Sequence, residues 1–181
     1  MAKICLIGLH GAGKSTLGRA FADYGFWHLN IGAIRRLIRL GVYPADVPSR
    51  LLLSLRDTES GRPLPDAVAA AVIEVANSHG RVVVDGLPSS PSHLALLGSG
   101  WDVVLVEAPD QAREERLVER ARSTARQWDP SLGSPRDYQL ESVIAAVGES
   151  LTRLDNAGDL KGLRTFVGDY LRGRNDDEAA D

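Results

Sequence analysis

Gly8-Leu9-His10-Gly11-Ala12-Gly13-Lys14-Ser15 is the stretch that decides the reading of this chain. Its spacing is Gly-x4-Gly-Lys-Ser, and each fixed position answers a physical demand. Bare backbone N–H groups can close around phosphate oxygens only where side chains stay clear and the chain takes dihedrals closed to most residues. Gly8, Gly11 and Gly13 satisfy both conditions. A helix starting near Lys14 points the positive end of its dipole at the anion. Lys14 adds a mobile charge for the outer phosphates, and the Ser15 hydroxyl can ligate Mg²⁺. The spacing predicts that Gly11, Ala12, Gly13 and Lys14 hold the β and γ phosphates of ATP or another NTP, provided that a strand precedes the loop and a helix follows it.

Both flanks fit. Ile4 to Leu9 is a short apolar run ending in glycine, the pattern of a buried parallel strand. Lys14 to Tyr24 reads as a helix, stopped by Gly25. Further along, Phe26 to Asn30 reads as a short strand, and Ile31 to Leu40 as an amphipathic helix with Arg35, Arg36 and Arg39 off its apolar face. Pro48 to Thr58 reads as helical between Pro/Gly-rich turns, and Pro65-Asp66 opens a helix to about Ser78. Arg81 to Asp85 and Val103 to Val106 are buried strands, Asp110 to Ala125 a charged helix, and 126 to 135 a loop. Arg136 to Glu149 is helical, Leu151 to Leu154 a weak last strand, and Asp159 to Leu171 a terminal helix. Such alternation predicts an α/β fold: a three-layer P-loop NTPase sandwich on a parallel sheet of about five strands. Residues 1–172 form one domain, with an acceptor lobe near 31–66, a lid near 117–135, and a polar, acidic, frayed tail at 173–181.

The bulk properties agree. The chain has 181 residues, 44% of them hydrophobic, which suits a single core. A net charge of -3 argues against a nucleic-acid or membrane-surface protein. No run approaches a membrane span, and no cleaved leader is expected, because the N-terminus runs straight into the strand before the phosphate loop and removing it would destroy that loop. A cytoplasmic protein with no obligate protein partner is expected. The single cysteine, Cys5, falls in the first strand and reads as core. The four histidines show no metal-ligand spacing. His28 reads as structural, and His79 and His93 flank turns.

Two features extend the site. Asp85 ends a hydrophobic strand, which places an acid beside the loop to hold Mg²⁺ through water with Ser15. Arg113, Arg116, Arg120, Arg122 and Arg126 cluster late in the chain. Phosphoryl transfer is mostly positioning and electrostatic stabilisation, and an arginine-bearing lid serves both. Arg113 reads as a solvated residue paired with nearby glutamates. Arg116, Arg120 and Arg126 are the catalytic candidates beside Lys14.

At this point the chain resembles the adenylate kinase and UMP/CMP kinase group of P-loop nucleoside monophosphate kinases, over about residues 1–172. Gly8 to Thr16 is similar to that group's phosphate loop and implies a nucleotide contact for Thr16. Tyr24 to Arg36 resembles its strand leading to Ser/Thr-x-Gly-(Asp/Glu)-x-x-Arg. This implies acceptor contacts for Asn30 and Gly32 and makes Arg36 the arginine that grips the acceptor's phosphate. Gly61 to Asp66 resembles its Gly-x-x-Val-Pro-Asp turn. Val82 to Pro88 resembles its Asp-Gly-Phe-Pro-Arg strand end, which puts Asp85 beside the acceptor as well as the metal. Glu119 to Arg126 is similar to its short lid, and Asp155 to Leu160 to its base-side loop, implying nucleotide contacts for Asn156 and Gly158. The chain departs from the pattern at Ser89, where the group has an arginine on the acceptor phosphate, at Ala33 for an acid, at Trp128-Asp129 for the lid's Asp-Asp, and across 41–60. His10 stands where Pro is common.

The donor side is thus more complete than the acceptor side. Three functions remain open on these grounds: transfer from MgATP to a nucleoside monophosphate or similar phosphorylated small molecule, a kinase for another metabolite, and an NTP-binding regulatory module without acceptor turnover.

Overall fold

The computed structural model describes residues 2–59, 62–98, 100–124, 137–158 and 160–178. Five strands, β1 (Ala2–Ile7), β2 (Trp27–Asn30), β3 (Arg81–Asp85), β4 (Trp101–Glu107) and β5 (Thr152–Asp155), form one parallel sheet in the order β2-β3-β1-β4-β5. The helices are α1 (Lys14–Ala22), α2 (Ile31–Arg39), α3 (Ser49–Arg56), α4 (Asp66–Asn77), α5 (Leu94–Leu97), α6 (Asp110–Thr124), α7 (Asp137–Val147) and α8 (Leu160–Glu178).

Strand alternation sorts the core into two layers, because successive side chains leave a strand on opposite faces. Cys5 and Ile7 of β1, Val82 and Val84 of β3, and Val103 and Leu105 of β4 pack against α2, α3, α4 and α7. Ile4 and Leu6, Val83, and Val104 and Val106 pack against Leu17, Ala20 and Phe21 of α1 and Leu163 and Val167 of α8. Burial on both faces explains why these strands read as continuous apolar runs. The result is a three-layer sandwich around a five-stranded parallel sheet.

The connection leaving β1 runs to β2 on one side of the sheet, whereas those leaving β3 and β4 run to the other. The order therefore reverses at β1. In open α/β sheets the crevice at the carboxyl ends of the strands at such a point is where ligands bind, and the glycine-rich loop leaves β1 there.

Three local outcomes differ from expectation. The short helix α5 follows a 3-10 turn at Pro91–His93 and was not foreseen; four residues give no period to read. Helix α8 runs past Leu171 to Glu178, so residues 173–178 are helical. Arg35 is buried within α2, where its guanidinium donates to the Glu59 carbonyl and ties the helix to the turn beyond α3. The expected loop 126–135, with Arg126 and Trp128, and the end of the tail from 179 lie outside the described residues.

Candidate active site

The phosphate loop is held from both sides. Its N-terminal glycines take positive φ, 81° at Gly11 and 103° at Gly13, where Gly13 caps α1. A Cβ on Gly13 would sit 2.2 Å from the Asn156 Nδ2, so only glycine fits. Lys14 Nζ donates to the carbonyls of Gly8 at 2.6 Å and Leu9 at 2.9 Å. This keeps the ammonium folded along the loop and over the cavity it lines.

Ser15, Asp85 and Asn30 meet next to it. Ser15 Oγ donates to Asp85 Oδ2 at 2.5 Å, and Asn30 Nδ2 donates to both Ser15 Oγ, at 2.9 Å, and Asp85 Oδ2, at 3.0 Å. Three elements make this contact: the start of α1, the end of β3 and the end of β2. Asn30 also caps α2, its Oδ1 accepting from Ala33 N at 2.8 Å. The donor chemistry fits Mg²⁺. A hydroxyl and a carboxylate lie together at the helix N-terminus, and hard oxygen ligands that leave room for water and phosphate are what this ion takes. Among the described residues no cluster of three or more His, Cys, Asp or Glu side chains offers a competing metal site.

These groups open on a cavity of about 550 Å³. Lys14, Ser15, Thr16, Gly11, Gly13, Asn30, Gly32, Arg36, Asp85 and Arg120 all line it, as does His10. Arg36 is exposed and makes no side-chain hydrogen bond or ion pair among the described residues. Arg19, on α1, is a further lining cation missed from the sequence; its guanidinium donates to Thr16 Oγ1 at 3.3 Å. A position four residues after Ser15 on the same helix was the available signal. Among the described residues, Asp85 is the only carboxylate on the wall.

Other expected residues sit elsewhere. Arg116 does not line the cavity: it donates to the carbonyls of Gly11 and Ala12 at 3.3 and 3.4 Å and of Asn156 at 3.0 Å. Asn156 is buried against the loop, its Nδ2 donating to Ala12 O at 2.7 Å. Ala12 is buried and Gly158 exposed, and neither faces the cavity. Arg113 is not a solvated partner of glutamates. Its Nε donates to His10 O at 2.9 Å and its Nη1 to Asp110 at 2.7 Å.

Ser89, the main departure from the resemblance, lines the cavity and fastens its wall. Its Oγ accepts from Leu64 N at 3.2 Å, and its N–H donates to His93 Nδ1 at 3.2 Å. His93 is fully buried, and with Nδ1 accepting, its Nε2 carries the proton toward Leu64 O at 3.1 Å and Asp66 at 3.3 Å. His93 thus joins the 62–65 turn to the loop after β3. On β2, His28 packs against α1 so closely that a Cβ on Gly18 would lie 2.2 Å from Nε2. Burial lowers its pKa below 6.5; the Asp85 charge opposes that shift and Arg19 reinforces it.

The fold has solved counterparts. A gluconokinase from Sinorhizobium meliloti superposes over 91% of this chain and 87% of its own, with a TM-score of 0.57 and 22% identity. The fold is that of the P-loop kinases. A sugar kinase from Janibacter matches over 95% of each chain (TM-score 0.57, 16% identity). A shikimate kinase from Acinetobacter baumannii, solved with shikimate, matches over 98% of this chain and 94% of its own (TM-score 0.57, 16% identity). By sequence, a UPF0200 protein of Thermococcus sibiricus is 29% identical over 128 residues, 66% of this chain and 67% of that protein. No family model matches the chain. Gluconokinase, sugar kinase and shikimate kinase share this fold, so the fold does not single out nucleoside monophosphate kinases. No described helix is long and apolar enough to cross a membrane.

Proposed function

We propose that this protein transfers the γ-phosphoryl group of MgATP to a small phosphorylated acceptor of the nucleoside monophosphate type. The observation that carries the reading is the wall of the cavity shared by Lys14, Ser15 and Asp85: Arg19, Arg36 and Arg120 face it, and the only acid among its described residues is already bonded to Ser15 and Asn30. An acceptor phosphate is attacking with an oxygen that is already anionic. It needs cations to hold it and no base to deprotonate it. A hydroxyl acceptor needs somewhere for its proton, and Asp85 is committed to the serine and the metal.

In this mechanism Gly11 and Gly13 N–H groups, the α1 N-terminus and Lys14 bind the donor phosphates. Ser15, and Asp85 through water, would hold Mg²⁺, which when bound would neutralise charge on the phosphate oxygens. Arg36 and Arg19 orient the acceptor so that its phosphate oxygen forms the new P–O bond in line with the breaking bond to ADP. Arg120, and Arg126 from the lid, balance the charge in transit. The protein acts on small molecules in the cytoplasm, without nucleic acid, membrane or obligate protein partner.

A second reading, a kinase for a hydroxylated metabolite, is favoured by Ser89 in place of an acceptor arginine and by the sugar and shikimate kinases among the structural neighbours. His10, on the cavity wall, would then have to serve as the base. Measuring ADP release with ATP and Mg²⁺ across nucleoside monophosphates, gluconate and shikimate separates the two. Turnover with a monophosphate is expected. Turnover only with a hydroxy acid would overturn the acceptor class, and ATP binding without ADP release on any acceptor would overturn the kinase reading in favour of a regulatory module.

A further inference from the structure

We propose that Asn156 and Arg113 are positioning residues that aim the N–H groups of the phosphate loop, in place of contacting nucleotide or acceptor. The proposal rests on the phosphate-binding role of the loop given above. In a planar trans peptide the carbonyl and the following N–H point opposite ways. Whatever grips a loop carbonyl from outside therefore turns the next N–H inward. Arg113 Nε grips His10 O at 2.9 Å, which is the peptide of Gly11 N–H. Asn156 Nδ2 grips Ala12 O at 2.7 Å, the peptide of Gly13 N–H. The peptide between these two is held at both ends: Arg116 Nη1 donates to its carbonyl, Gly11 O, at 3.3 Å, and its N–H, on Ala12, closes the turn on Leu9 O at 3.2 Å. Gly11 and Gly13 N–H make no hydrogen bond among the described residues. Of these three gripped peptides, the outer two, held by Arg113 and Asn156, are those whose N–H groups remain for a ligand.

Asn156 is itself fixed. Its N–H donates to Glu107 O at 2.7 Å at the end of β4, and Arg116 donates to its carbonyl at 3.0 Å. Arg113 and Arg116 lie three residues apart on α6, so one helix face and the residue after β5 hold the loop together. The loop is thereby pre-aimed, and binding does not have to order it first.

The test is calorimetric binding of tripolyphosphate, which has no base or sugar, and of ATP, to the full chain. Asn156→Ala changes no charge. It should weaken both ligands by the same factor, about tenfold for one lost orienting hydrogen bond. The number of sites per chain should stay at the wild-type value, which a merely structural loss of folded protein would lower. Weakening of ATP alone would place Asn156 at the base and overturn the proposal. Unchanged affinity for both ligands would overturn it while leaving the phosphate loop standing. Wild-type protein that binds neither ligand would overturn the loop reading beneath it. Should Asn156→Ala fail to fold, Arg113→Gln is read the same way at the other peptide, where unchanged tripolyphosphate affinity overturns the proposal.

Discussion

The donor side and the acceptor side of the cavity are built on opposite plans. On the donor side the backbone is gripped from outside by Arg113, Arg116 and Asn156, and the proposed metal ligands Ser15 and Asp85 are bonded to each other and to Asn30. The proposed acceptor side presents the exposed guanidinium of Arg36, with no protein partner among the described residues. The wall behind it is joined by a buried histidine. Phosphates of a nucleotide are the same in every turnover, so their site can be fixed in advance. An acceptor must be chosen, and long cations on a helix face leave its shape to the ligand.

The contrast can be broken at its strongest point first. Lys14→Ala should reduce turnover at least about a thousandfold, since it removes the charge beside the transferring phosphoryl group; steady-state ADP release is the measurement, and full activity would sink the donor assignment. Arg36→Ala should cut kcat/KM for the acceptor by roughly 30-fold, the value of a charged hydrogen bond to an anion, and leave the KM for ATP unchanged. An equal effect on both substrates would erase the distinction between the halves. His93→Ala should lower unfolding stability by about 3 kcal/mol, because it leaves Ser89 N and Leu64 O without their partner inside a new cavity. Urea titration reads that loss, and the binding of ATP by the folded fraction should be unaffected.

The smallest effect is on pH. Burial makes the folded protein disfavour protonated His28, so its folded pKa lies below the unfolded 6.5. The unfolded chain binds the extra proton as pH falls. The stability this group contributes is complete above pH 6.5 and is lost as pH drops from there toward the folded pKa. The slope is at most about 1.4 kcal/mol per pH unit for one proton. Comparing wild type with His28→Gln at pH 7.5 and 5.5 isolates it: the wild type should lose more.

What was legible in the sequence follows from range along the chain. Gly11, Gly13, Lys14 and Ser15 are local, and their roles follow from one turn and one helix start. Asp85 was readable because a charged residue ends an apolar strand. Arg36 was readable by resemblance, and it does line the cavity. The residues misread act across distance. Arg113 has glutamates nearby on the same helix, yet the carbonyl of His10, 103 positions away, takes its Nε. Arg116 carries the charge of a catalytic residue but spends it on three carbonyls. Arg35 reads as solvated on a helical wheel and is buried because α2 packs beneath the turn at Glu59. Nothing local announces a partner brought in by the sheet.

Cys5 has a practical consequence. It is the only cysteine in the chain and lies in β1 with no solvent exposure, where burial pushes its thiol far above the ordinary range. A native thiol so placed is silent toward maleimides at neutral pH. A cysteine introduced on α6 and a second on α3 would therefore be the only two sites to take a fluorophore pair, and the distance between them, with and without nucleotide, could be read by energy transfer without first removing a natural residue from the core.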